Sequence, residues 1–293
     1  MTGEIVRLSS WVREITLPDG WAYFKHGLSG KRLDANMEQR VSLHRYTRFS
    51  AIDSAIARYA RDMGLLVAPG EDPLCAPATA LGPAESCIRS LWEQSYWQEE
   101  IEIERDYQWH GKPIVKMPDD LFLYQELLQR GKENPCVLEL GAAPGGSPQF
   151  FLDMLSLRKG GYYLGVDEVE WPSPEAKNPW SVQSQVIGDA HSTETLDRIA
   201  DRVGRRGADL IVIDADKDRR RRVDLLEQYA SLVAPGGWIV VEDLSLPGHD
   251  PHRSEIERRL DQFLLDRPGF GIELAAGRFM CAKSTRACFR RYE

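Results

Sequence analysis

The chain has 293 residues, enough for one main domain and an accessory segment. Its 42% hydrophobic and 28% charged residues exclude a disordered chain and suit a sizeable core. Its 37 basic and 45 acidic residues give a net charge of −8, which argues against nucleic acid as partner, because that affinity rests mostly on lysine and arginine set against phosphates. No apolar run approaches the roughly 20 residues that span a bilayer, and the N-terminus has no signal-peptide core. No membrane partner and a cytoplasmic location are expected. Cys75, Cys87, Cys136, Cys281 and Cys288 form no C-x-x-C pair, so neither a disulfide framework nor a zinc site is expected.

Residues 1–115 read as a helical accessory region that covers substrate, and residues 116–293 as the main domain. Residues 37–63 carry amphipathic spacing for one long or two shorter helices. A loop rich in Pro and Gly follows at 68–83, and a further helix is expected from Pro83 through 104. Aromatics of this part, among them Trp92, Trp97, Tyr107 and Trp109, read mostly as core.

From residue 118 the pattern becomes regular. A helix is predicted over 118–131, with Pro118 in its first turn, acids at its positive end and Gly131 as stop. Strands are predicted at 136–141, 161–167, 182–189, 209–214 and 238–243. Helices are predicted at 145–157, 193–203, 223–237 and 252–267, and a closing hairpin from 269–276 and 277–284. Strands alternating with helices mean a parallel sheet covered on both faces. Ligands of such sheets bind beyond the carboxyl ends of the strands. Those ends carry Gly141, Asp167, Asp189, Asp214 and the pair Glu242–Asp243.

The first of these turns, Glu139–Ser147, is glycine-rich and leads into a helix, which suits close approach of backbone to a ligand. It lacks G-x-G-x-x-G, since position 143 is Ala, so a dinucleotide is not its natural ligand. Asp167 can accept from ribose hydroxyls and Asp189 from an adenine amino group, with His191 flanking the base; the plainer reading of each Asp is a turn cap. Asp214, Glu242 and Asp243 end adjacent strands in this topology. Three converging carboxylates with no Cys or His suit Mg²⁺ or another hard divalent cation. The alternative is that they cap loops or pair with the arginine run 219–222. That run otherwise reads as a solvated helix start or a subunit contact. His249 and His252 read as surface or capping residues.

E-L-G-x-x-x-G-G-S over 139–147, followed by an acid after the second strand, resembles class I S-adenosylmethionine-dependent methyltransferases over residues 115–284. The resemblance implies an α/β fold: a Rossmann-like, seven-stranded, mostly parallel sheet with helices on both faces, plus the N-terminal helical segment. It implies that Met117, Glu139, Gly141, Ala142 and Ser147 face the methionine part of S-adenosylmethionine. Asp167 then faces the ribose, Asp189 and Ala190 the adenine, and Asp214 borders the same site. I-D-A-D-K-D at 213–218 resembles metal-dependent catechol and caffeoyl-coenzyme A O-methyltransferases, which implies Asp214 as metal ligand and Lys217 as base, with Asp216 orienting it. P-D-D-L-F-L-Y-Q-E-L-L at 118–128 and V-V-E-D at 240–243 look still more like the cephalosporin hydroxylase-like and rhamnosyl O-methyltransferase family.

The implied reaction is methyl transfer to one hydroxyl of a vicinal diol, on a sugar of a natural product or on a catechol. Mg²⁺ would acidify that hydroxyl and Lys217 would take its proton. The partner is a small hydroxylated acceptor, and a homo-oligomer is compatible with the sequence. The strongest alternative is an RNA ribose methyltransferase, whose turn L-G-A-A-P-G-G resembles 140–146. That family needs a Lys-Asp-Lys-Glu tetrad, and Glu242–Asp243 stands where one of its lysines is required. An iron hydroxylase needs two histidines and a carboxylate around one iron, and the nearest candidates crowd into 249–252. A catalytically silent module is opposed by the intact Asp214, Lys217, Glu242 and Asp243.

Overall fold

The computed structural model of the protein describes residues 4–9, 12–17, 21–26, 31–71, 107–142, 145–171, 181–244, 252–276 and 287–293. The helix expected from Pro83, Trp92, Trp97, His249, Cys75, Cys87, Cys281 and the strand expected at 277–284 lie outside the described residues. Two compact units divide the chain, Met1–Trp92 with Leu244–Arg290, and Glu93–Asp243 with Arg291–Glu293.

The first unit departs from the helical expectation. Strand β1 (Ile5–Leu8) lies between β5 (Ser50–Ala51) and β6 (Leu66–Val67), antiparallel to both. Strands β2 (Val12–Thr16), β3 (Ala22–His26) and β4 (Arg32–Ala35) form an antiparallel meander. Leu17-Pro18-Asp19-Gly20 between β2 and β3 carries turn chemistry, and the flanking runs are short and rich in β-branched and aromatic residues. That local pattern outweighs the helical reading. Residues 37–63 form two short helices. Helix α1 (Met37–His44) opens with a capping box between Asn36 and Gln39, and α2 (Ala55–Asp62) is capped by Ser54.

The second unit follows the predicted alternation. Helix α3 (Pro118–Arg130) starts at the proline and stops at Gly131. Strand β9 (Cys136–Leu140) is buried throughout. It leads to α4 (Gly146–Leu157), β10 (Gly161–Asp167) and β11 (Ser181–Ile187), then α5 (Thr193–Val203) and β12 (Ala208–Ile213). Helix α6 (Arg219–Tyr229) precedes β13 (Val233–Val241). Here the expected 223–237 helix is corrected. The helix ends at Tyr229, one 3₁₀ turn follows, and the chain is already strand at Val233. Pro235 cannot continue a helix, and Ala234–Gly237 are absorbed as a register shift against β12.

After α7 (Arg253–Asp266) come β14 (Phe270–Ile272) and β15 (Cys288–Arg291). Within the second unit the sheet runs β11-β10-β9-β12-β13, all parallel, and β15 neighbours β14. Val137, Leu138, Leu210, Ile211 and Val240 are fully buried, as expected for strands with both faces covered. A small antiparallel pair, β7 (Gln108–Trp109) and β8 (Lys112–Pro113), precedes α3, and Trp109 donates its indole N–H to Asp153 of α4 at 2.8 Å. Among the described residues no helix is long and apolar enough to cross a membrane.

Within the first unit, Arg7 of β1 is fully buried and donates to Asp261 of α7 at 2.8 Å. Asp261 also accepts from the Gly70 backbone amide at 2.6 Å. Removing one member of a buried ion pair leaves the other charge in a medium of low dielectric. Asp261→Ala is therefore expected to lower unfolding free energy by about 3–5 kcal/mol in urea titration, whereas an exposed pair such as Arg32–Asp34, broken by Asp34→Ala, should change it by less than about 1 kcal/mol.

Candidate active site

Beyond the ends of β9, β10, β11 and β12 lies a cleft of ≈ 460 Å³, a size typical of small-ligand sites. Gly141, Asp167, Asp189, Ala190, Asp214 and Lys217 border it, together with His191. Asp167 accepts from the Val169 amide at 3.1 Å and Asp189 from the His191 amide at 2.8 Å, so each acid closes the turn after its strand while facing the cleft. Tyr229 donates to the Ala190 carbonyl at 2.8 Å and anchors the loop after β11. The His191 Nε2 atom stands 3.3 Å from Asp216 Oδ2, joining that loop to the one after β12. Lys217 is exposed on the wall of the cleft.

Gly141 sets the closeness of the walls. Its φ is +86°, and a Cβ there would lie 2.6 Å from the backbone carbonyl of Asp214. Only glycine permits both the left-handed conformation and this crossing of two strand ends. Ala142 is buried behind the turn, and Met117 is buried as the cap residue of α3. Ala143 and Pro144 lie outside the described residues. A smaller cavity of ≈ 50 Å³ is bordered by Glu139, Gly145, Gly146, Ser147, Lys116 and Asp214. Helix α4 begins there without a side-chain cap, so its first amides suit a ligand carboxylate. Gly146 is also tight: a Cβ would meet that of Ile114 at 2.8 Å.

The carboxylates at the strand ends do converge, and they converge on cations of the chain itself. Lys116, 3% exposed, places its Nζ 2.8 Å from Glu242 Oε1, 3.1 Å from Asp214 Oδ2 and 3.1 Å from Glu139 Oε1. Tyr124 of α3 also donates to Glu242 Oε1. Glu139 further accepts from Ser147 and, at 2.6 Å, from Tyr163. Arg222 approaches from the other side. Its Nη1 lies 2.7 Å from Asp243 Oδ2 and 3.3 Å from Asp214 Oδ1, and it donates to the carbonyls of Glu242 at 3.0 Å and Asp216 at 2.7 Å. Burial alone would discharge Lys116, but Asp214, Glu242 and Glu139 outweigh it and hold the ammonium well above the usual lysine range. Arg222 behaves likewise: burial opposes its charge, and Asp243, Asp214 and Glu242 restore it. Burial, reinforced by Glu242, keeps the Tyr124 phenol protonated far above its normal range.

This arrangement does not fit the expected divalent ion. Both oxygens of Asp214, Oε1 of Glu242 and Oδ2 of Asp243 face an ammonium or a guanidinium. An ion about 2.1 Å from Glu242 Oε1 would stand within about 5 Å of Lys116 Nζ, so it would have to displace that ammonium or share the acids with it. Among the described residues no group of three metal-ligating side chains is gathered for one ion. Asp216 (φ +73°) and Asp243 (φ +58°) hold left-handed backbone just past β12 and β13, so local strain concentrates at these two ends.

Lys116 is the residue sequence reasoning missed, whereas Arg222 belongs to the run 219–222 whose pairing with these acids was the alternative, and it pairs with Asp214 and Asp243. Arg222 had a signal. It shares helical spacing with Leu225, Leu226 and Tyr229, all buried on one face of α6. Lys116 had only a weak one, the alternation of Ile114 and Lys116 in the extended stretch before Pro118.

Gly141→Ala should lower stability by about 1–3 kcal/mol through the positive φ alone. Displacement of the Asp214 carbonyl should also weaken nucleoside binding about tenfold or more, as read by calorimetry. A stable variant with unchanged affinity would show that the close crossing is not required.

The family model described as rhamnosyl O-methyltransferase/CmcI matches residues 102–263. The ribosomal RNA large subunit methyltransferase E of Methanococcoides burtonii is 31% identical over 134 residues, 42% of this chain and 46% of that protein. The rhamnosyl O-methyltransferase of Mycobacterium leprae is 28% identical over 147 residues, 48% of this chain and 62% of that protein. The chain thus spans about half the length of these curated relatives. Among solved structures, CmcI with Mg and SAM aligns at a TM-score of 0.48 and 19% identity over 64% of this chain and 77% of that one. The O-methyltransferase TomG of Streptomyces achromogenes, in complex with SAM, aligns at 0.38 and 19% over 62% and 79%. With more than half of its residues matched by that family model, the chain belongs to the rhamnosyl O-methyltransferase/CmcI family.

Proposed function

We propose that the protein is an S-adenosylmethionine-dependent O-methyltransferase acting on a hydroxyl of a small acceptor, with a sugar diol as the favoured class. The observation that carries this reading is the cleft bordered by Gly141, Asp167 and Asp189 in strand order, in a chain of this family. When bound, S-adenosylmethionine supplies a methyl group activated on a sulfonium sulfur. The chain's own residues do the rest. Asp167 accepts from the ribose hydroxyls and Asp189, with Ala190 beside it, receives the adenine. Gly145, Gly146 and Ser147 offer the start of α4 to the methionine carboxylate. The carboxylates around Asp214 outnumber Lys116 and Arg222, so this wall is net negative and complements a sulfonium.

Lys217 is the proposed base. It borders the cleft three residues beyond Asp214 and would take the proton that the acceptor hydroxyl loses. The sugar class is favoured by the likeness to the rhamnosyl O-methyltransferase of Mycobacterium leprae. A second reading, RNA ribose methylation, is favoured by the 31% match to the ribosomal RNA methyltransferase and by the contact of Lys116 with Asp214, which supplies a lysine–aspartate pair.

Release of S-adenosylhomocysteine is measured with rhamnosides, catechols and transcribed ribosomal RNA as acceptors. Turnover on rhamnosides is expected, and turnover on RNA alone would replace the reading with the second one. Lys217→Met should lower kcat about 10²–10⁴-fold while the cofactor Kd stays within about twofold. Asp167→Ala should instead weaken cofactor binding about 10–100-fold. Undiminished turnover by the Lys217 variant would remove that residue as base.

A further inference from the structure

We propose that Lys116 and Arg222 are built-in counter-cations standing in the place of a divalent metal, so that this chain binds S-adenosylmethionine without Mg²⁺. The proposal rests on the methyl-transfer reading for its ligand, but its metal arm is independent of that reading.

An ammonium has three N–H donors, and Lys116 has three carboxylate partners within 3.1 Å, one from each of β9, the end of β12 and the end of β13. Its side chain is 2% exposed. Arg222 is similarly enclosed, with its side chain 8% exposed, and its planar fork is fixed by two carboxylates and two backbone carbonyls. The two cations share Asp214, one on each carboxylate oxygen. A metal ion on Asp214 would have to take at least one of its oxygens from Lys116 or Arg222, or sit beside two positive charges. Neither cation reaches its place by accident of the surface. Lys116 arrives on the buried phase of the segment before α3, and Arg222 on the buried face of α6.

Mn²⁺ serves as probe, followed by electron paramagnetic resonance on the full chain. The wild-type protein is expected to bind it no tighter than about 1 mM, and its S-adenosylmethionine Kd should change by less than about twofold between EDTA and excess MgCl₂. Lys116→Ala should open the cluster and create a Mn²⁺ site, which Lys116→Ala combined with Glu242→Gln should abolish. If Lys116→Ala does not fold by circular dichroism, the wild-type titrations decide alone. Stoichiometric Mn²⁺ binding by the wild-type protein that is lost in Asp214→Asn would overturn the proposal. So would a tenfold or larger loss of cofactor affinity in EDTA. If the wild-type chain binds no S-adenosylmethionine under any condition, the methyl-transfer reading fails, and the Mn²⁺ titration still tests the counter-cations.

Discussion

Four carboxylates end up side by side at the carboxyl edge of the central parallel strands, and two of them, Glu139 and Glu242, are fully buried. Like charges gathered in a medium of low dielectric are tolerable only with opposite charge among them. Lys116 and Arg222 supply that charge, and much of the surrounding architecture delivers it. The extended residues before α3 carry Lys116 into the centre, and the first turn of α6 carries Arg222. The phenols of Tyr124 and Tyr163 each donate to one of the two glutamates. The cluster ties three strand ends to two helices through side chains rather than through the sheet ladder.

The cleft beside it follows from a different constraint. At Gly141 the backbone turns with positive φ directly against the carbonyl of Asp214. The glycine turn and the end of β12 are therefore one surface, and Asp214 belongs to both cavities. A nucleoside in the larger cavity and an amino-acid tail in the smaller one would be joined across the same residue. This shared position lets an electrostatic cluster built for cohesion also act on a ligand.

The alternation of strands and helices after residue 118 was legible because each element carries its own punctuation. Pro118 and Gly131 bound α3, Ser192 caps α5, and the apolar runs of β9 and β12 leave no amphipathic alternative. The acids at strand ends were legible for the same topological reason, and Asp167, Asp189, Asp214 and Lys217 all border the cleft. The first 71 residues were misread as mostly helical because their strands run two to five residues, too short for a period to establish itself against the helical stretches near 37–62. What keeps the acids together was illegible for a deeper reason. A lone lysine just before Pro118 alternates with Ile114 alone, and its meaning lies in three carboxylates 23, 98 and 126 residues away.

The arginine run at 219–222 shows how little a repeated letter says about equivalence. Arg220 turns back on Asp218, Arg221 reaches Asp216 at the surface, Arg219 donates to the carbonyl of Asp243, and Arg222 goes inward. Four adjacent positions with identical chemistry thus have four different sets of partners. A charge-preserving exchange to lysine would be silent at the exposed members. At Arg222 it would strip away the planar fork that bridges two acids, so tolerance to the most conservative substitution should change within a single helical turn.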